Sequence, residues 1–436
     1  MRPLLVLAFL LTLAGCTSGT GPTYYRDTQA LIVEKCGACH VEGGVAPFAL
    51  LTYEQVQAQA VAMRADIASG IMPPWPPGAS CAPLADQRSL TAEERALLLR
   101  WLDSGAPAGD IADARPVQPP AAVGPSRVDL SPGLAQPYTP VVTPDEYRCF
   151  VLDWTPTTVK YITGFAARPG NAAIVHHVLA FVAGPSSVAS YQALDAADPA
   201  PGYTCFGGPG GDTTSLVGGW APGAFGGDYP AGTGLKIFPG SKIVLQIHYH
   251  VHNHEAGATD VVPAPDQTSL ELKLDDAVER EAVTMPWADP TWVTSQTMDI
   301  PAGVADVVHA FTFDPSPYLS QLTGGVLASQ APYVIHAAAL HQHLRGTRSH
   351  LEIRHSNGSA DCLLDIPRWD FRWQGAYRLA APVTAGPGDL LSITCHWDNS
   401  AATQPVENGV QEPPRDLNWG EGTDDEMCVG FLYVTR

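Results

Sequence analysis

The sequence predicts a multidomain protein in which one small all-α domain precedes two all-β domains of antiparallel sandwich, jelly-roll-like type. Residues 27–105 contain helix-capping patterns and apolar residues at helical spacing. From residue 145 onward, short β-branched and aromatic runs alternate with Gly, Pro, Asp and Asn turns. Residues 106–143 are rich in Pro, Ala and Gly, which predicts a semi-extended linker between the two regions.

Length and charge limit the class of protein. The chain has 436 residues, enough for two or three domains, and 44 acidic against 24 basic residues give a formal charge of -20. This balance argues against nucleic acid as a partner, because phosphate binding needs clustered Lys and Arg.

The β-rich region is long for one sandwich, and the stretch AVEREAVTMPWADP interrupts the strand pattern near residues 278–290. We therefore expect sandwich domains at 144–285 and 286–436.

The first sixteen residues, MRPLLVLAFLLTLAGC, combine one Arg, an apolar run and the tetrapeptide LAGC. The run is short for a membrane-spanning helix. It resembles a bacterial lipoprotein signal, in which residues 1–15 are removed and Cys16 is lipidated; an ordinary secretion signal is the alternative. The resemblance implies a lipid-anchored protein on a membrane surface of the bacterial cell envelope, with residues 16–26 as a tether.

Two helices are predicted within residues 27–105. Thr52 with Gln55 and Thr91 with Glu94 form capping boxes, and Gly70 is a C-terminal stop signal. The apolar positions at helical spacing are Val56, Ala60, Met63, Ile67, Leu97, Leu98, Trp101 and Leu102.

The motif CGACH lies in this helical region. Cys36, Cys39 and His40 match the attachment signature of a c-type haem, with two thiols bonded to the porphyrin and His40 as the proximal iron ligand. Met63 and Met72 are the candidates for the sixth ligand. Met63 falls on an apolar helix stripe, whereas Met72 lies in the stiff segment IMPPWPPG, so we favour Met72. The segment also resembles small cytochrome c domains that carry CxxCH and a later MPPW.

Histidines cluster in the predicted β region. The groups are His176-His177, the run HYHVHNH with His248, His250, His252 and His254, and the pair His341 and His343. Side chains two residues apart share one face of a strand, so His341 and His343 can bind one metal. Adjacent His176 and His177 can share a metal only at a bend, a bulge or a strand end. Imidazoles suit Zn, Cu, Fe or Ni, and an added methionine sulfur such as that of Met427 favours copper, although spacing alone does not place Met427 there.

These motifs occur in an order that resembles the copper type II, ascorbate-dependent monooxygenases, which include peptidylglycine alpha-hydroxylating and dopamine beta-monooxygenases. The shared features are an adjacent His pair with Phe four residues later, HYH, HxH followed by Gly, and EMC. The resemblance implies two copper ions. His176, His177 and His248 would hold an electron-transfer copper, with His250 as a competitor for His248. His341, His343 and Met427 would hold the copper that binds oxygen and substrate.

Nine cysteines remain to be assigned. Cys16 is the predicted lipid site and Cys36 and Cys39 the haem sites, and the other six allow fifteen pairings. The family resemblance implies the disulfides Cys149–Cys205 and Cys395–Cys428. Cys81 and Cys362 are then left as free thiols or as an inter-domain bridge.

The substrate is narrowed by departures from the family pattern. The peptide-amidating branch has Arg, Asn and Tyr where this chain has Ala339, Val429 and Phe431. The resemblance therefore argues against peptide alpha-amidation. The remaining substrate class is a small organic molecule, such as an apolar or aromatic compound.

The predicted function is a copper monooxygenase that hydroxylates a C–H bond with O2. Members of the family take electrons from ascorbate, and here the fused haem, or another redox protein, is the hypothetical donor to the His176/His177/His248 copper. One alternative is an electron-transfer or copper-handling lipoprotein without substrate turnover. Another is a haem peroxidase, which would require that Met72 leave the haem face open.

Overall fold

The structure, a computed structural model, divides the chain into two compact units. One comprises the described residues of Met1–Pro73 and Ser89–Ala121, and the other those of Pro74–Arg88 and Ala122–Arg436. The predicted signal 1–15, Cys16, His252 and His254 lie outside the described residues. The described residues are 21–42, 46–85, 87–117, 124–212, 214–221, 224, 226–251, 261–371, 373–407 and 410–436.

The first unit is helical. Both predicted capping boxes are confirmed, Thr52 with Gln55 and Thr91 with Glu94, since each side chain caps the other residue's backbone N–H. The stop at Gly70 is also confirmed by its left-handed φ of 76°. The elements are a π-helical turn Tyr24–Thr28, α1 Gln29–Cys36, α2 Tyr53–Ala58, α3 Ala60–Ser69, α4 Ala92–Asp103 and a 3-10 turn Ile111–Asp113.

The helix predicted to follow Thr52 is interrupted at Gln59. Its backbone angles, φ −107° and ψ 6°, separate α2 from α3. The surrounding sequence QAQAVA contains no Gly or Pro, so no local signal predicts the break. Val56, Met63 and Ile67 still face one apolar core with Trp101, which accounts for Met63 as a packing residue.

The second unit is built from mostly antiparallel sheets with short helices in the connections. Its helices are α5 Val188–Ala197, α6 Pro290–Ser295, α7 Leu319–Leu322 and a 3-10 turn Ser316–Tyr318. Its strands are β1 Asp145–Asp153, β2 Lys160–Arg168, β3 Val175–Ala183, β4 Tyr203–Thr204, β5 Thr214–Trp220, β6 Gly227–Asp228, β7 Thr233–Ile237, β8 Lys242–His250, β9 Ser269–Asp275, β10 Arg280–Trp287, β11 Val307–Phe313, β12 Tyr333–His341, β13 Gly346–Arg354, β14 Ala360–Ile366, β15 Ala376–Ala385, β16 Leu390–Trp397, β17 Val406–Glu407, β18 Val410–Gln411 and β19 Val429–Thr435.

Two apolar cores occupy this unit, as expected for two sandwiches. The first lies between the sheet β4-β1-β8-β3-β5 and strands β2 and β9, with Phe165 and Leu245 among its buried residues. The second lies between the sheet β11-β16-β13-β14 and strands β10, β12 and β19, with Trp397 and Leu432 buried in it. The second unit is therefore all-β in the way the sequence predicts.

One eight-stranded sheet runs through both sandwiches. Its order is β15-β12-β19-β10-β7-β2-β6, with β9 also paired to β2. The two halves meet where β10 and β7 pair in parallel, Arg280 opposite Thr233 and Glu281 opposite Gly234. The stretch that reads as an interruption is thus a strand, because Val283, Met285 and Trp287 are buried on it despite the charged residues before them.

Part of the predicted linker is integrated into the first sandwich. Leu130, Gly133 and Tyr138 form bridges with Leu272, Ser269 and Asp266. The side chain of Tyr138 is buried in the first core, so these extended residues cover a sheet edge. Within the part of the chain that the structure describes, no helix has both the length and the apolar character to cross a membrane.

Candidate metal centres

A β-bulge in β3 brings two adjacent histidines to one site. Val175 pairs with Tyr249 and His177 pairs with His248, so His176 is the extra residue of the bulge. The bulge required by the sequence argument is therefore present. Without it, His176 and His177 would face opposite sides of the sheet.

The Nδ1 atoms of His176, His177 and His248 converge. They are separated by 3.3 Å (His176–His177), 3.2 Å (His176–His248) and 3.4 Å (His177–His248). Three nitrogens each about 2.0 Å from one ion lie about 3.3–3.5 Å apart in tetrahedral or trigonal geometry. Since three converging ring nitrogens cannot all satisfy one another with hydrogens, one cation fits this trio well.

The Asp145 carboxylate contacts His248 on the ring nitrogen that does not point into the trio. The Nε2 atom of His248 donates to Oδ1 of Asp145 at 2.7 Å, and Nδ1 of His250 lies 2.7 Å from the same oxygen. Thr423 donates its hydroxyl to that oxygen at 2.8 Å. A carboxylate on the far nitrogen fixes the ring and tautomer of a metal-binding histidine. The geometry places His248 in the trio and His250 beside Asp145. Asp145 is absent from the residues predicted for this site, because no sequence motif marks it.

The environment keeps these imidazoles neutral. Burial, reinforced by the neighbouring imidazoles, holds the pKa of His176 and His177 well below the usual range. Burial also lowers the pKa of His248, against the opposing effect of Asp145. Tyr147 stacks on the His248 ring with centroids 4.0 Å apart. Neutral, oriented imidazoles are the form that binds a metal.

The second histidine group lies where β12 ends. His341 Nδ1 donates to Oε1 of Gln374 at 2.6 Å, and His343 Nδ1 donates to the Asp425 carbonyl at 3.1 Å. Both contacts use Nδ1, which leaves Nε2 of each ring for a metal. The ring centroids are 5.0 Å apart. Burial lowers the pKa of His341 to about 4.

Met427 precedes β19 by two residues. His341 pairs with Val429, the first residue of that strand, in the antiparallel register, so the segment that carries Met427 runs toward the HxH segment. The neighbouring Glu426 is fully buried and accepts from the His343 and Arg345 backbone N–H groups, at 2.9 and 2.6 Å. These bonds tie the HxH segment to the EMC segment.

The connection between β14 and β15 contacts both histidine groups. Phe371 stacks on His176 with centroids 4.4 Å apart and meets His343 edge-on at 6.0 Å. Trp369 donates its Nε1–H to the His343 carbonyl at 3.0 Å. This connection and Gln374 were likewise absent from the predicted site. Their only signal in the sequence is the aromatic density of PRWDFRWQG, which has no strand alternation.

The CGACH motif lies at the end of α1. His40 Nδ1 is 3.0 Å from the Phe48 carbonyl, which leaves Nε2 as the nitrogen for an axial bond. Cys36 and Cys39 lie outside the disulfides. The motif thus keeps two thiols and an oriented imidazole, which is the set of donors that the haem prediction requires. Met72 is half-buried just after α3.

The disulfides implied by the family resemblance are confirmed. Cys149 is bonded to Cys205 and Cys395 to Cys428. The remaining pair, Cys81 and Cys362, is also bonded, so these cysteines are not free thiols, but the bond lies within one compact unit and does not join the two units. Both cysteines belong to the second unit.

Comparisons with known proteins agree with the resemblance in the C-terminal region. Residues 326–435, which include His341, His343 and Met427, match the model described as "Copper type II ascorbate-dependent monooxygenase, C-terminal domain". This region is similar to that domain, and the similarity supports copper-dependent oxidoreductase chemistry.

Two curated relatives cover more of the chain. DBH-like monooxygenase protein 2 of Mus musculus is 28% identical over 270 residues, 60% of this chain and 38% of the relative. DBH-like monooxygenase protein 1 of Gallus gallus is 25% identical over 277 residues, 60% and 39% respectively. The match thus spans less than half the length of either relative. Among solved structures, a Paenibacillus xanthan lyase aligns with 76% of this chain and 29% of the lyase chain, with a TM-score of 0.16 and 9% sequence identity. This likeness is too slight for any inference.

Proposed function

We propose that this protein is a copper monooxygenase that hydroxylates a C–H bond of a small organic substrate with O2. The observation that carries the proposal is the convergence of three Nδ1 atoms at His176, His177 and His248, 3.2–3.4 Å apart. The similarity of residues 326–435 to the copper monooxygenase domain supports it independently.

The two histidine groups have different proposed roles. His176, His177 and His248 hold an electron-transfer copper, and Asp145 keeps His248 in its metal-binding tautomer. His341, His343 and Met427 hold the copper that meets O2 and substrate. Copper at these sites supplies one-electron chemistry and O2 activation, and the Met427 thioether favours the Cu(I) state. Hydrogen-bond partners such as Asp145 and Gln374 orient the ligands, and burial keeps the imidazoles neutral.

The proposed electron source is a c-type haem on Cys36, Cys39 and His40, with Met72 as sixth ligand, or a small reductant such as ascorbate. The His40–Phe48 hydrogen bond supports the first, because it fixes the ring with Nε2 available. A His/Met pair would give the haem a raised potential suited to electron transfer.

The proposed location is the bacterial cell envelope, with Cys16 lipidated and attached to a membrane surface. The apolar run ending in LAGC supports this. Detergent phase partitioning of the wild type and Cys16→Ser tests it. We expect the wild type in the detergent phase and the variant in the aqueous phase, whereas equal partitioning would contradict the anchor.

The function is tested with Met427→Ile and the matched control Met285→Ile, a fully buried core methionine of β10. The copper-loaded, reduced protein is given ¹⁸O2 and a panel of small apolar and aromatic compounds, and products are analysed by mass spectrometry. We expect one ¹⁸O atom per product in the wild type and Met285→Ile, and none in Met427→Ile.

X-ray absorption of the Cu(I) protein provides the second readout. A sulfur scatterer should be present in the wild type and Met285→Ile and absent in Met427→Ile. Copper binding and redox cycling without any labelled product across the panel would instead favour the electron-transfer or copper-handling alternative. Retained hydroxylation in Met427→Ile would contradict the ligand assignment.

A further inference from the structure

A second type of donor cluster lies on the hairpin β13–β14, on residues separate from both histidine groups. His350 pairs with Asp365 and Glu352 pairs with Cys362. A bulge between these pairs makes Leu363 the extra residue, so Cys362 and Asp365 can face the same side although three positions apart. One face of the hairpin therefore carries an imidazole, a sulfur and two carboxylates.

The segment Pro74–Arg88 brings a second sulfur to this face. It belongs to the second unit although it lies between α3 and α4 in the chain. The Gly78 N–H donates to the Asp365 carbonyl at 2.9 Å, and the Ser80 hydroxyl donates to Oδ2 of Asp365 at 2.9 Å. These contacts place Cys81 against Cys362, to which it is bonded.

The donor atoms have the spacing of a metal site. The two sulfurs and a ring nitrogen of His350 all lie within 4.8 Å of one another. The Cys362 Sγ atom is 3.9 Å from each His350 nitrogen. Sulfur at 2.3 Å and nitrogen at about 2.05 Å from a tetrahedral ion lie about 3.6 Å apart, close to the distance between Cys362 and His350, whereas the two bonded sulfurs would have to separate to about 3.8 Å once the disulfide is reduced.

Carboxylates complete the set. Asp365 Oδ1 lies 3.2 Å from Nδ1 of His350 and can fix its tautomer, which leaves Nε2 for the metal. Glu352 Oε2 lies 3.5 Å from that Nε2 and can supply a fourth ligand, while Arg354 binds Oε1 at 2.6 Å. Two thiolates, one imidazole and one carboxylate are ligands that Zn²⁺ accepts in tetrahedral sites, whereas Cu(I) prefers sulfur and imidazole to carboxylate.

Solvent exposure distinguishes the Cys81–Cys362 disulfide from the other two disulfides. Cys149, Cys205, Cys395 and Cys428 are each at most 5% exposed. Cys81 and Cys362 are only partly buried, as is His350. Thiol–disulfide exchange needs access of the attacking thiolate to sulfur, so a mild dithiol reaches Cys81–Cys362 first.

We propose that the Cys81–Cys362 pair is a redox-controlled Zn²⁺ site that also uses His350 and Glu352. A dithiol reduces the disulfide with two electrons and two protons and becomes a disulfide itself. Zn²⁺ then binds, and the two thiols release their protons. The oxidised protein ties the segment Pro74–Arg88 to the hairpin by a covalent bond, and the reduced protein ties it by the metal. This site is independent of the proposed monooxygenase function.

The test uses the full chain and Co²⁺ as a coloured substitute for Zn²⁺. The protein is reduced with a low concentration of dithiothreitol under anaerobic conditions and desalted, and its accessible thiols are counted. We expect two new thiols per chain. Co²⁺ should then give a thiolate-to-metal charge-transfer band that saturates at one equivalent and is abolished by Zn²⁺. The oxidised protein in which Cys36 and Cys39 are replaced by Ser should give no such band, since the histidine groups contain no thiolate.

Substitutions identify the residues that produce the Co²⁺ charge-transfer band. Cys81→Ser and Cys362→Ser should abolish the band, and His350→Gln, which leaves the disulfide intact, should weaken Co²⁺ binding at least tenfold. The matched thiol control, Cys36→Ser with Cys39→Ser, should keep it. Circular dichroism checks the fold of each variant. The proposal would be overturned if the disulfide resists the dithiol, or if the two free thiols form without a Co²⁺ band. It would also be overturned if the band survives in Cys362→Ser or is unchanged in His350→Gln.

Discussion

Gln374 positions the His341 ring, since its Oε1 accepts from Nδ1 at 2.6 Å. We predict that Gln374→Leu lowers copper affinity at the His341/His343 site by about 10–100-fold, because partners behind a ligand typically contribute that much. Gln374→Glu keeps the acceptor and should retain affinity. Competition with a chromophoric Cu(I) chelator measures both.

The control for this substitution is Gln411→Leu, at an exposed residue of β18. Its affinity should equal that of the wild type. Equal affinities for Gln374→Leu and Gln411→Leu would mean that Gln374 does not position the ligand.

Asp145 has the corresponding role at the first site, where one carboxylate oxygen contacts His248, His250 and Thr423. Asp145→Ala should lower copper affinity at the His176/His177/His248 site by about 10–100-fold and leave the other site unchanged. Asp153→Ala, at the exposed far end of the same strand, should change neither. Site-resolved copper titration distinguishes the two, and a loss at both sites would indicate a general folding defect instead.

At the scale of elements, the β3 bulge shows what strand periodicity can predict. The sequence indicates that adjacent histidines need an irregular strand to share a metal, and the register shift at His176 supplies it. The capping boxes of α2 and α4 are equally predictable, since cap and partner are three residues apart. The break between α2 and α3 at Gln59 is not predictable in this way, because the local residues favour a continuous helix.

Strand β12 provides a pH prediction through His336. This residue is 3% exposed and contacts Thr435 at 2.9 Å, and burial lowers its pKa to about 4. The unfolded chain binds a proton near pH 6.5. Between these values the unfolded state holds more protons, so acidification destabilises the fold, by about 2 kcal/mol at pH 5.

Urea unfolding at pH 7 and pH 5 checks this. In His336→Gln the loss of stability on acidification should be smaller than in the wild type by about 2 kcal/mol. His355→Gln is the opposite control: hydrogen bonds to Asp361 and Asp389 raise the pKa of His355, so its stabilisation is present at low pH and lost as pH rises. That variant should lose more stability on acidification than the wild type. An unchanged pH dependence in His336→Gln would contradict the assignment.

At the scale of the whole molecule, the haem motif and the histidine groups belong to different compact units. We predict that Cys36→Ser with Cys39→Ser abolishes covalent haem and leaves copper binding at two ions per chain, because the proposed copper ligands all come from the second unit. Haem absorbance after denaturation and metal analysis measure the two quantities. The conservative variant Met72→Leu should keep covalent haem but change its spectrum. Loss of copper together with haem would show that the units depend on each other for folding.

In the whole molecule, two features predicted from the local residue pattern differ from the structure. Charged residues around Arg280 suggest a domain boundary, yet β10 joins the two sandwiches through its parallel pairing with β7. The Pro-rich stretch suggests a linker, yet Tyr138 is buried in the first core. In both cases long-range pairing overrides the local residue pattern.

Local patterns in the chain predict the order of the α and β regions and select the candidate metal-binding residues. CGACH, HH, HYH, HxH and EMC are local motifs, and caps and strand alternation are short-range patterns. Long-range contacts bring in the supporting residues Asp145, Gln374, Glu426 and Phe371, pair Cys81 with Cys362, and place His248 rather than His250 in the converging trio. Local spacing does not predict these contacts, because they join residues far apart in the chain and depend on strand register and bulges.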